Sequence, residues 1–83
     1  MDRNEIKKRV FAVITENLGI DAEKVTEEAT FKVDLQFDSI EIYDFIDALQ
    51  ESFADHDLEI DDKDILQIST VKDAISFIGK KLG

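Results

Sequence analysis

The stretch DLQFDSIEIYDF (residues 34–45) marks the passage from a polar connection into an amphipathic helix. Ser39 stands at that passage, directly after Asp38. At about 100° per residue, Ile42, Ile46, Leu49 and Phe53 fall on one face of the segment that follows, with Tyr43 and Phe45 flanking it. Glu41, Asp44, Asp47 and Glu51 fall on the opposite side as an acidic stripe, and Ile40 lies among them. The spacing predicts a helix over 39–53, apolar toward a core and acidic toward solvent. Serine and aspartate are both common N-terminal caps, so Ser39 can be read as nothing more. A hydroxyl in the first turn also projects beside unpaired backbone N–H groups and the positive end of the helix dipole, a setting that stabilises a phosphate ester.

Three further helical segments read outward from this one. Over 2–18, Ile6, Val10, Val13, Ile14 and Leu18 recur at helical spacing, Asp2 and Glu5 resemble a capping pair, and Gly19 supplies a left-handed stop. A short helix is expected near 62–67. A last one is expected over 71–81, with Thr70 and Asp73 as a capping box, Val71, Ala74, Ile75, Ile78 and Leu82 as the core stripe, and Lys80 and Lys81 in the last turn. Residues 19–37 keep neither a helical nor a strand period. They carry Ile20, Val25, Phe31, Val33 and Leu35 at intervals, which predicts an ordered loop pinned to the helices and containing one short turn. No segment alternates as a strand should. The expectation is an all-α fold in a single domain over 1–83: a small four-helix bundle, three main helices plus one short helix, with a long ordered loop between the first and second.

Composition narrows the functions. The chain has 83 residues, 43% of them hydrophobic, which suits one small core. It has no cysteine and one histidine, His56, so disulfides, thiolate or histidine-rich metal sites and a cysteine nucleophile are excluded. Ser39 has no nearby glycines of a nucleophile elbow and no plausible base, so no catalytic residue is expected. DHDLEIDDKDIL (residues 55–66) places acids at alternate positions but has Ile60 and Leu66 where a calcium loop needs glycine and glutamate, so no metal site is expected. The net charge is −10, which argues against nucleic acid and for basic protein surfaces as partners. The charge is concentrated: residues 34–64 hold twelve acids and one base, Lys63. Apolar runs are too short for membrane insertion, the mixed-charge start is unlike a signal peptide, and a cytoplasmic monomer is the simplest expectation.

The ordered set of segments resembles the acyl carrier protein family nearly end to end. ENLGID (16–21) and VTEEATFKVDL (25–35) look like the end of that family's first helix and its long loop. DSIEIYDFIDALQESF (38–53) looks like its Asp-Ser-Leu motif and second helix, and LEIDDKDILQISTVKDAISFI (58–78) like its third helix and the start of the fourth. The resemblance implies 4′-phosphopantetheine on Ser39, with Asp38 as the other half of the motif, installed by a phosphopantetheinyl transferase. It implies acyl groups held as thioesters on the arm, in fatty acid or specialised lipid biosynthesis, with an aminoacyl or polyketide cargo as the alternative. It further implies that Asp38, Glu41, Asp44 and Glu51, with Ile40 after the serine, meet basic patches on acyl-handling enzymes, and Asp47 lies in the same stripe. The inner face of the second helix would line the shelter for an acyl chain. The chain departs from the pattern at Gln36, where glycine is common, at Asp61, where proline is common, and in a longer loop at 53–60. A reading of another class, an unmodified acidic interaction module in which Ser39 only caps, stands beside it.

Overall fold

The structure, a computed structural model describing residues 1–82, consists of α1 (Arg3–Ala12), α2 (Ser39–Ser52), α3 (Asp62–Ile65) and α4 (Val71–Leu82). No strand is present among the described residues; Thr30 and Thr70 form an isolated antiparallel bridge. This is the expected all-α bundle of three main helices and one short one.

The first helix differs from its expectation in its last turn. The α-helical register stops at Ala12, and Val13–Asn17 continue as a π-helical turn, with Leu18 N–H donating to the Val13 carbonyl at 3.3 Å. Thr15 Oγ1 donates to the Phe11 and Ala12 carbonyls at 3.0 and 3.4 Å, a side-chain competitor for the backbone where the register widens. Gly19 follows at φ +69°, the left-handed stop its residue type allows. Of the first capping pair, only the Asp2 side chain acts, accepting from Glu5 N–H. α3 is shorter than 62–67 because its end tightens: Gln67 and Ile68 N–H groups donate three residues back, to Asp64 and Ile65. α4 starts at the expected Thr70–Asp73 box, with Asp73 N–H on Thr70 Oγ1 and Thr70 N–H on the Asp73 carboxylate.

The long loop is ordered, and the contacts that order it run to the start of α4. Phe31 N–H donates to the Ser69 carbonyl, Val71 N–H to Ala29 and Lys72 N–H to Glu27, all at 2.9–3.1 Å. One short turn lies at Ala22–Lys24, as expected. Val25, Phe31 and Leu35 are buried and Ile20 packs against the core, but Val33 is 75% exposed and pins nothing; Ala29 and Phe37 are buried instead. The reason is local: Asp34 folds back on Thr30, its carboxylate accepting from Thr30 N–H at 2.8 Å, so the turn carries Val33 outward.

Two clusters of charge tie α1 to the rest. Glu27 pairs with Arg3 and with Lys7, the latter at 3.2 Å. The hydrogen bonds from Arg3 and Lys7 lower the Glu27 pKa to about 2. Arg9 donates to the Ser52 carbonyl at 3.0 Å and to Asp55 at 3.3 Å while lying over the Phe53 ring at 5.1 Å, so one side chain fixes the C-terminal end of α2. The longer loop at 53–60 is held by Ile60 N–H on Gln50 Oε1 at 3.0 Å.

Candidate functional site

Ser39 is the first residue of α2, and the cap is the residue before it. The Asp38 carboxylate accepts from Glu41 N–H at 2.8 Å, and the Glu41 carboxylate accepts from Asp38 N–H at 3.3 Å, a complete capping box. The reading of Ser39 as a cap is therefore corrected. Its hydroxyl is exposed and is not part of the cap, because aspartate already satisfies the orphan donor.

The placement of Ser39 is set from upstream. Gln36 adopts φ +57°, and this left-handed turn lets Phe37 N–H reach the Phe31 carbonyl at 2.7 Å and sends the Phe37 ring into the core. Phe31, Phe37 and Phe45 form one aromatic cluster, with Phe31 and Phe45 centroids 4.9 Å apart. The chain enters α2 from this anchored point, which leaves Asp38, Ser39 and Ile40 facing water.

A cavity of about 430 Å³ lies beside Ser39, between α2, the middle of the long loop at Thr30, Phe31 and Lys32, and α3 with the segment after it. Its walls are mainly Phe31, Ile42, Phe45, Ile46, Ile65 and Ile68, with Tyr43 and Leu66, 52% and 85% exposed, at its rim. This accounts for a correction on α2. The fully buried face is Phe45, Ile46, Leu49 and Phe53; Ile42 is only half-buried, because the cavity lies beneath it in place of core atoms. Of the cavity residues, those contributed by α3 and the segment after it were not singled out by sequence reasoning; Phe31 was, as a loop anchor.

The acidic stripe is present on the outer side of α2. Asp44, Asp47 and Glu51 are exposed, and Ile40 is 72% exposed beside them. Glu41 is half-buried and held in the capping box, so it is less free than the other three. His56 stands apart, exposed in the 53–60 loop next to Asp55 at 3.5 Å. Among the described residues, no cluster of acids or histidine is arranged to hold a metal ion.

The arrangement fits a phosphate-linked arm on Ser39. The hydroxyl is accessible and free of the cap, the first-turn N–H groups and the dipole favour an anion there, and an apolar cavity opens beside it. The family model of the phosphopantetheine attachment site matches residues 8–78. An acyl carrier protein of Thermotoga maritima is 42% identical over 81 residues, covering 98% of this chain and 96% of its own length. Those of Thermosynechococcus vestitus and Rubrobacter xylanophilus are 38% and 36% identical, covering 99% and 94% of this chain and 98% and 93% of their own lengths.

Proposed function

Since the chain belongs to the acyl carrier protein family, we propose that Ser39 is the residue that bears its 4′-phosphopantetheine, in a carrier serving fatty acid or specialised lipid biosynthesis. It is a carrier and not an enzyme. When bound, the group supplies the thiol on which acyl chains are held as thioesters, a function this cysteine-free chain has no residue of its own to provide. The observation that carries the assignment to Ser39 is its exposed hydroxyl, free of the cap, beside the apolar cavity.

The chain's own residues have separable roles in this reading. Asp38 and Glu41 hold the first turn of α2, and so fix the backbone from which the Ser39 side chain projects. The first-turn N–H groups stabilise the phosphodiester. Carriers of this family work with a transferase and with acyl-handling enzymes. Here Ile40, Asp44, Asp47 and Glu51, together with the partly engaged Glu41, are the surface we assign to them, docking on basic patches as a monomeric single domain in the cytoplasm. Exposed charges of this kind act mostly by steering and orienting the encounter.

The test is intact mass after incubation with coenzyme A and a broad-specificity phosphopantetheinyl transferase. One added arm is expected on the wild type and none on Ser39→Ala, with peptide mapping to Ser39. An arm on Ser52, Ser69 or Ser76 would overturn the site, and no arm at all would favour the unmodified interaction module. The same mass measurement on protein from its native host reads the cargo, and so separates a fatty acyl from an aminoacyl or polyketide group.

A further inference from the structure

We infer that Lys32 pairs with the phosphodiester borne by Ser39 and holds the root of the arm on the cavity side of α2. The inference rests on the carrier reading above and deepens it with a positioning residue outside both the Asp-Ser pair and the acidic stripe. Lys32, from the long loop, and Ser39, from α2, line the same cavity, and Lys32 is the one charged residue on its walls among the described residues. The backbone between them folds back on itself. Phe37 N–H donates to the Phe31 carbonyl at 2.7 Å, which sets the residue before Lys32 against the residue two before Ser39. A flexible four-carbon stem ending in three rotatable donors then bridges to an anion on the neighbouring turn.

The charges around Lys32 leave it available. It is exposed and pairs with no carboxylate among the described residues. The acids close to it in the chain are engaged elsewhere. The Asp34 carboxylate accepts from Thr30 N–H at 2.8 Å and from Thr30 Oγ1 at 3.2 Å, and the Asp38 and Glu41 carboxylates each accept from the other's backbone N–H. A solvated lysine is the ordinary state of such a side chain, and its place is what sets this one apart. Residues 34–64 hold twelve acids and one base, Lys63, which does not line the cavity.

A phosphodiester on Ser39 adds one more negative charge to that field. The first-turn N–H groups offset part of the cost, and a nearby ammonium adds a charge-assisted hydrogen bond. The two sides of α2 are unequal in this respect. Asp44, Asp47 and Glu51 are exposed on the outer side and repel the phosphate, whereas the cavity side presents Lys32. The pairing therefore turns the first link of the arm away from the acids and leaves their stripe uncovered for a partner.

The experiment compares apo protein with protein loaded with 4′-phosphopantetheine, each verified by intact mass, in the wild type, Lys32→Gln, Lys32→Arg and Lys63→Gln. Lys63→Gln makes the same change of charge away from the cavity. The readouts are the loaded-minus-apo Tm difference at low salt and in about 1 M salt, and the lysine side-chain NMR correlations of the wild type in both forms. At low salt the Tm difference is expected to be about 2–4 °C lower in Lys32→Gln than in the wild type. It is expected to change far less in Lys63→Gln, to be restored in Lys32→Arg, and to be alike in all four proteins in the high salt. In the wild type the Lys32 correlation is expected to move on loading and the Lys63 correlation to stay. Equal Tm differences in the wild type and Lys32→Gln, or a Lys32 correlation that does not move, would overturn the pairing; the wild-type spectra decide even if a variant does not fold. An equal loss in Lys63→Gln would overturn it in favour of net charge alone, and so would a Lys32→Arg protein that behaves like Lys32→Gln in favour of a packing role. All these outcomes leave the carrier reading intact, whereas failure to load Ser39 at all would overturn that reading itself.

Discussion

Replacing Gln36 with glycine tests how the chain is steered into α2. Gln36 sits at φ +57°, exposed, two residues ahead of the Asp38 cap. A residue with a Cβ pays about 1–2 kcal/mol for the left-handed region. Glycine removes that strain but returns about 0.5–1 kcal/mol through its greater freedom in the unfolded chain. The net expectation is a stabilisation of roughly 0.5–1 kcal/mol, or about 2–8 °C in Tm at ~4–8 °C per kcal/mol for a domain of this size. Thermal and urea unfolding followed by circular dichroism measure it, with Gln36→Ala as the control that removes the side chain and keeps the Cβ. Asp57, at φ +53°, should respond less to the same change, because aspartate tolerates this region better. If Gln36→Gly proves no more stable than Gln36→Ala, the turn before α2 is unstrained and the argument fails.

The capping box predicts that Asp38→Ala lowers stability by about 0.5–2 kcal/mol while Ser39→Ala leaves it nearly unchanged, read from urea midpoints; equal losses would return the cap to Ser39. Reversing Asp44 and Asp47 to lysine should slow modification of Ser39 and flatten its salt dependence without changing the fold; Glu41 is left out because it also caps. Asp73→Lys on α4 is the control, and an equal slowing there would mean that net charge alone governs the rate. Glu27, lowered from 4.5 to about 2 in the fold, contributes stability that is present above about pH 4.5 and is lost as pH falls toward 2. Glu27→Gln should therefore be less stable than wild type at neutral pH, and the gap should close across that acid window; a gap that stays constant with pH would refute the ion-pair account.

The helices were legible in the sequence, and the candidate site could be proposed from it, because each rests on a local signal. The period of Ile42, Ile46, Leu49 and Phe53, the Thr70–Asp73 box and Gly19 all report structure within a few residues of themselves. What was missed depends on non-local geometry. Phe45 belongs to the buried face and Ile42 only half to it, because a cavity beneath α2 shifts the burial without changing the period. Val33 looks like an anchor in a list of apolar residues, but the turn made by Asp34 on Thr30 decides otherwise. The π-helical turn at Val13–Asn17 keeps its apolar residues at nearly helical spacing, so periodicity alone cannot separate it from an α-helix. Asp38 and Ser39 are equally good caps by residue type, and only the hydrogen bond to Glu41 chooses between them.

The grip of Arg9 on the far end of α2 makes that helix a strut braced at both ends. Arg9 holds Ser52 and Asp55 at one end, and the Asp38–Glu41 box closes the other. Glu51 and Ser39 lie on the same rigid rod about 18 Å apart, at 1.5 Å per residue. A surface that seizes Glu51 thereby also aims the Ser39 end. Loosening the brace through Arg9→Ala would leave the acids and the serine untouched yet make that aim less accurate. Position 9, far from the serine, is in this sense part of its sighting line.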